Sequence, residues 1–176
     1  PLARGGGIIE PFSEPKTYLR NVIGTYFDEK RIDSFLTHAP HMVRFFEEKT
    51  SLQFEAGNLI PDTYSNQPGA GMGGRSVIAA PFDGRNLGKM IRYLRKPLRE
   101  TAFWGMTIQA GADLRAFMTF TRSPASFLYV AKRMTAHIRD LLVHRRAMQL
   151  RNGNALVARL IKSAEDAGVT FLLSAT

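Results

Sequence analysis

The sequence predicts an α+β protein, mostly α with a small sheet. Three observations carry that expectation. Apolar residues recur at helical spacing through much of the chain, as in Tyr18, Leu19, Val22, Ile23 and Tyr26. A few short runs, such as Leu52-Gln53-Phe54-Glu55, alternate apolar and polar residues and read as strands. The chain closes on a helix, a glycine and the apolar run Val169 to Leu173, the second half of an α/β unit.

Length and composition bound the answer. At 176 residues and 44% hydrophobic, the chain is long enough to bury one domain's core. No apolar run is long enough to span a membrane, and no signal-peptide pattern stands at the start. Zero cysteines removes disulfides and thiolate chemistry, which fits a cytoplasmic location. The formal charge of +9 points to nucleic acid, an anionic surface or anionic small molecules, or to a chain that complements acidic parts of something larger. The ends favour a segment of a longer protein: the sequence opens on Pro1 and stops on the apolar Phe171-Leu172-Leu173 run before Ser174-Ala175-Thr176.

Four stretches follow in order. Residues 1–57 hold N-terminal helices and a short strand. Arg4 and Gly5-Gly6-Gly7 stand ahead of them, either as a loose end or as a glycine turn facing a ligand. Ser13 and Pro15 mark a helix start. Asp28 caps a second helix carrying Ile32, Phe35 and Leu36, and Pro40 is expected to break it before a third with Met42, Val43, Phe45 and Phe46. His38 and His41 lack the further ligands that a zinc site needs, so no metal is expected.

Residues 58–88 form a long loop with three of the nine prolines and six of the fifteen glycines. A loop of this length between helical segments is a site element or else disordered; its Tyr, Asp and Arg residues favour an ordered site. Gly69-Ala70-Gly71-Met72-Gly73-Gly74 matches G-x-G-x-x-G, but Pro68 precedes it and the extended Arg75 to Ala80 follows. A dinucleotide cradle needs a strand before and a helix after, so the match is set aside.

Residues 89–151 read as a basic helical insertion. Met90, Ile91 and Leu94 share a helix that Pro97 ends, and Phe103, Trp104, Met106 and Ile108 fit a short strand or a helical turn. Asp113 to Phe120 is helical, and Ser123-Pro124 opens a long helix. On it Phe127, Ala131, Met134, Ile138, Leu141 and Leu142 form the expected apolar stripe, with Lys132, Arg139 and Arg146 as a basic stripe on another face. Residues 152–176 start with an Asn152-Gly153-Asn154 turn. A helix with Leu156, Val157, Leu160, Ile161 and Ala164 inside follows, then Gly168 and the buried strand.

Taken in order, these residues carry a family resemblance. A Gly-Gly turn precedes helices that end in Phe45-Phe46-Glu47. Tyr64 stands before Gly73-Gly74-Arg75, then comes Pro81-Phe82-Asp83-Gly84-Arg85-Asn86-Leu87-Gly88, and the close is Gly153-Asn154-Ala155-Leu156-Val157-Ala158-Arg159-Leu160. The set resembles the middle of the flavoprotein dehydrogenases of the fumarate reductase and succinate dehydrogenase flavoprotein superfamily. The 3-ketosteroid Δ1-dehydrogenase branch is the nearer likeness, and residues 89–151 lie outside it.

The resemblance implies a fragment of an α/β FAD-binding domain and an oxidoreductase that uses FAD to take hydride from a small-molecule substrate, steroid-like or a dicarboxylate. It makes Gly5, Gly6 and Gly7 cofactor contacts. It makes Tyr64 the catalytic candidate, since a phenol shares in proton removal where a neighbour favours its ionised form; the alternative is that Tyr64 pins the loop. Arg75 and Arg85 either bind an anionic group of the substrate or anchor the loop to carboxylates such as Asp83. The family's dinucleotide fingerprint is not in this chain, and Ile8-Ile9 stand where the family often has an aromatic residue. The segment alone is therefore expected to be inactive, working with the rest of a parent chain and as a homo-oligomer. The competing reading is a basic helical module that binds nucleic acid or another polyanion through Lys132, Arg139 and Arg146. The site-like loop argues against nucleic acid, which has no use for it.

Overall fold

In the computed structural model, residues 10–173 are described, and they fall into two compact units. The first takes the residues up to Lys49 together with Phe54–Ile78; the second takes Thr50–Gln53 and everything from Ala79 onward.

In the first unit, α1 (Ser13–Ile23) leads through a 3-10 turn into α2 (Glu29–Lys49). Asp28 caps α2 as expected, its Oδ1 accepting from the Arg31 N–H at 3.2 Å. Lys16 of α1 reaches Glu29 and Asp33 of α2 at 2.7 and 2.8 Å. Pro40 does not break the chain: α2 runs through it as one helix. A proline removes a single helical N–H, and here Phe35, Leu36, Ala39, Met42 and Val43 continue one wall of a common cavity across it. The strand β1 (Phe54–Ala56) pairs with β2 (Val77–Ala79), whose last residue begins the second unit.

The second unit has two further small sheets. Strand β3 (Phe82–Asp83) pairs antiparallel with β6 (Gln149–Leu150), Phe82 opposite Leu150. Strands β4 (Ala102–Phe103) and β5 (Met106–Thr107) form a hairpin with Trp104 and Gly105 at its tip, which resolves the ambiguous stretch as strand. Between them lie a 3-10 segment (Gly84–Arg92), α3 (Ala112–Thr119) and α4 (Pro124–His144), and α5 (Asn152–Asp166) follows β6. Ser123 caps α4 as its sequence predicts, accepting from the Ser126 N–H with Pro124 in the first turn.

The core of this unit gathers Ala79, Phe82, Leu87, Leu94 and Leu150 against Ala155 and Ala158, with Ile161 beside them. The inner face of α5 is thus Ala155, Ala158 and Ile161, not the larger set that periodicity picks; Leu156, Val157 and Leu160 are exposed. Small side chains let the helix approach the sheet closely, and they leave no hydrophobic maximum to read. Asn152 to Asn154 open this helix and are no turn. Arg159 on the same helix donates to the carbonyls of Ser51, Ala80 and Pro81 at 2.7–2.9 Å, satisfying backbone groups that no strand pairs.

Two expectations fail on α4 and at the C-terminal end. The predicted apolar stripe is largely exposed at Phe127, Ile138 and Leu142, while Val130, Arg133, His137 and Asp140 are buried. Burial of charge is tolerated there because each charge is matched. Arg133 Nη1 lies 2.6 Å from both oxygens of Asp113, which also accepts from Tyr129 Oη and the Gln109 N–H at 2.8 Å. Burial pulls the Asp113 carboxyl upward, but hydrogen bonds from Gln109, Arg133 and Tyr129 outweigh it and hold the group below its ordinary range. Gly168 ends α5 at a φ of 74°, as expected. Val169 to Leu173, however, is neither a strand nor buried; no described strand runs beside it, and strand backbone forms only against a partner.

Candidate functional site

Hydrogen bonds close the glycine-rich loop on itself, and close approaches to backbone account for Gly69 and Gly73. Asp62 and Gly71 close it twice: the Asp62 N–H donates to the Gly71 carbonyl at 2.9 Å, and the Gly71 N–H to Asp62 Oδ2 at 2.8 Å. The Gly57 N–H reaches the Ser76 carbonyl and the Gly74 N–H the Gly57 carbonyl. A Cβ on Gly73 would sit 2.0 Å from the Asn58 carbonyl oxygen, and one on Gly69 would sit 2.6 Å from that of Glu14. These close approaches are to protein backbone, and β2, not a helix, follows the loop. The G-x-G-x-x-G match therefore does not fit a pyrophosphate. Gly5, Gly6 and Gly7, the nominated cofactor contacts, lie outside the described residues.

Arg75 is held by two carboxylates. Its Nε donates to Glu10 at 2.9 Å, and its two terminal nitrogens pair with Glu10 and Asp62. The hydrogen bonds to Glu10 and the neighbouring charges raise its pKa further despite burial, so it stays a cation. The guanidinium also lies over the ring of Tyr18, 5.7 Å from its centroid. Arg85, in the second unit, bonds both oxygens of Asp83 at 2.9 and 3.0 Å and pairs with the buried Asp140. Asp140 is itself satisfied by the Met148 N–H. Both arginines thus have carboxylate partners within their own unit.

Tyr64 sits differently. Its backbone N–H donates to the hydroxyl of buried Tyr18 at 3.2 Å, and its carbonyl accepts from the Gln67 N–H. Its side chain is 55% exposed, and its hydroxyl has no hydrogen-bond partner among the described residues. The loop is therefore pinned through backbone at Tyr64 and through the phenol of Tyr18. Tyr18, Phe35, Leu36 and Val43 line a cavity of about 490 Å³ in the first unit, with Asp62 and Arg75 at its polar side. That volume and mix of lining suit a small organic molecule.

Sequence reasoning placed Tyr18 in the core by spacing and missed its link to the loop. It also missed Glu10 and Asp62 as the partners of Arg75. The usable signal was Pro61-Asp62 opening the loop, because an aspartate there closes turns through its own carboxylate. The basic stripe comes apart: Arg146 lies beyond α4 and turns its guanidinium to the carbonyls of Ile91 and Leu94. No described helix is long and apolar enough to cross a membrane.

Comparison with known proteins adds four findings. The family model described as FAD binding domain matches residues 7–176. The chain is 33% identical over 156 residues to 4-oxocyclohex-2-ene-1-carboxylate 5-dehydrogenase of Sinomonas cyclohexanicum, covering 89% of this chain and 26% of that protein. It is 33% identical over 82 residues to 3-oxosteroid 1-dehydrogenase of Mycobacterium tuberculosis, 47% of this chain and 15% of that one. Among solved structures, 3-ketosteroid delta1-dehydrogenase from Sterolibacterium denitrificans, in complex with 1,4-androstadiene-3,17-dione, superposes with a TM-score of 0.76 at 28% identity. The match covers 92% of this chain and 29% of that one, so the chain spans under a third of the length of the relatives it matches.

Proposed function

The chain belongs to the FAD binding domain family, with FAD as the cofactor that membership carries, and from that premise we propose that it is part of a dehydrogenase acting on a cyclic ketone. The observation that carries this reading is the likeness over 89% of the chain to a dehydrogenase of an oxo-substituted ring. The 3-oxosteroid dehydrogenases point to the same chemistry, a ring carbon made acidic by a nearby carbonyl. When bound, FAD supplies the hydride acceptor.

The chain's own residues take the remaining tasks. The apolar wall of Tyr18, Phe35, Leu36 and Val43 supports binding of a ring and exclusion of water, and it favours a ring over a dicarboxylate. Tyr64 is assigned a share in proton removal on the resemblance. Its phenol is exposed and free of partners among the described residues, and it lies outside the lining of the Tyr18 cavity. The group that favours its ionised form therefore belongs to the substrate or to the rest of the parent chain. Arg75 and Arg85 are assigned to anchoring, since carboxylates already occupy their guanidinium groups. Gly5, Gly6 and Gly7 are assigned to the flavin. The reading extends to a cytoplasmic homo-oligomer, supported by the cysteine-free composition and by the apolar side chains exposed on α4.

The test is anaerobic mixing of the full-length, FAD-loaded protein with 4-oxocyclohex-2-ene-1-carboxylate and, separately, with a 3-oxosteroid saturated in its first ring. Bleaching of the flavin band by at least one of them is the expected result. A bound flavin that neither compound reduces contradicts the assignment.

A further inference from the structure

The second unit contains another cavity, of about 480 Å³, walled by the β4–β5 hairpin, the C-terminal end of α4 and β6. Among the described residues four cations line it, Lys96, Arg99, Arg145 and Arg146, and no Asp or Glu does. Among the described residues Lys96, Arg99 and Arg145 form no ion pair. Arg146 is half-buried against carbonyls, and its Nε is buried without a hydrogen-bond partner. Like charges gathered around one concavity repel one another unless an anion enters.

The apolar part of the wall is as specific. Trp104 occupies the first position of a two-residue hairpin turn in which both residues have positive φ, 50° and 82°. That turn normally takes Asn-Gly or Asp-Gly, so a tryptophan there is strained. Its carbonyl lies 3.0 Å from Nε2 of fully buried His137, which holds the tip in place. The indole is 71% exposed and stacked on Phe103 at 5.3 Å, leaving its other face open. Arg145 likewise takes a left-handed conformation, φ 55°, where helices usually end on glycine. Strained non-glycine residues on two sides of one cavity mark it as a place where side chains are kept despite their backbone cost.

We propose that this cavity binds an organic carboxylate, its carboxylate paired with Lys96, Arg99 and Arg145 and its ring laid against Trp104. Planar guanidinium groups match a planar carboxylate through paired hydrogen bonds, and the indole face accepts an apolar ring. The cavity lies wholly within the second unit, whereas the Tyr18 cavity belongs to the first, so a carboxylate bound here is told from one at the dehydrogenase site by its sensitivity to Lys96 and Arg99.

The experiment titrates the full-length protein with cyclohexanecarboxylate and with its neutral analogue cyclohexanecarboxamide by calorimetry. Tryptophan fluorescence of the wild type and of Trp104→Phe is followed in parallel, the difference reporting on Trp104. Saturable carboxylate binding is expected, with the amide at least tenfold weaker. The double substitution Lys96→Ala with Arg99→Ala should weaken the carboxylate at least tenfold. Arg99→Gln, which keeps the side chain's length, is a second variant should the double one fold poorly. Carboxylate binding that survives either folded variant unchanged, equal affinity for the amide, or no saturable binding overturns the proposal.

Discussion

Replacing Tyr64 by phenylalanine in the full-length, FAD-loaded protein is expected to lower kcat by about 10²- to 10⁴-fold, the range for loss of a positioned proton-transfer group. The melting temperature should hardly change. The loop is secured at this point by the Tyr64 N–H to Tyr18 hydroxyl bond and by the Asp62–Gly71 pair, none of which needs the Tyr64 phenol. Steady-state kinetics beside a thermal melt separates the two roles. A catalytic share appears in kcat alone. A pinning role appears in the melt, with kcat preserved in whatever remains folded, and that outcome would remove Tyr64 from the chemistry.

Asp113→Asn is expected to cost about 3–5 kcal/mol of folding stability, since it leaves the buried Arg133 guanidinium without its counter-charge. The pH dependence follows from the same pair. The folded carboxyl titrates below its unfolded value of about 3.9. Its stabilisation is therefore fully present above that value and is lost as pH falls through the folded pKa. Urea melts between neutral pH and pH 3 should show wild-type stability falling into acid. The Asn variant should start lower and fall less steeply. Equal stability at neutral pH, or parallel acid slopes, would show that the pair contributes nothing.

Much of the fold is legible in local sequence, and the failures have physical reasons. Ser123-Pro124, Asp28 and Gly168 act through backbone groups within a few residues, so spacing alone locates them. Pro40 misleads because a proline removes a single helical hydrogen bond, and the 21-residue α2 continues through that loss. The buried side of α4 is illegible because Arg133 is made acceptable by Asp113, twenty residues earlier, and periodicity cannot register a partner. The candidate site behaves the same way. Tyr64 and the loop are visible as composition, whereas the pairing of Arg75 with Glu10, 65 residues away, is a tertiary fact.

The measurement that tests the central claim most directly is the visible absorbance spectrum of the full-length protein, purified without added cofactor, as wild type and with Gly6 and Gly7 replaced by leucine. The account predicts a flavin band in the wild type that the variant loses while remaining folded. A colourless wild type that also fails to take up added FAD would contradict it, as would a folded variant that keeps the full band and so frees Gly6 and Gly7 from the flavin.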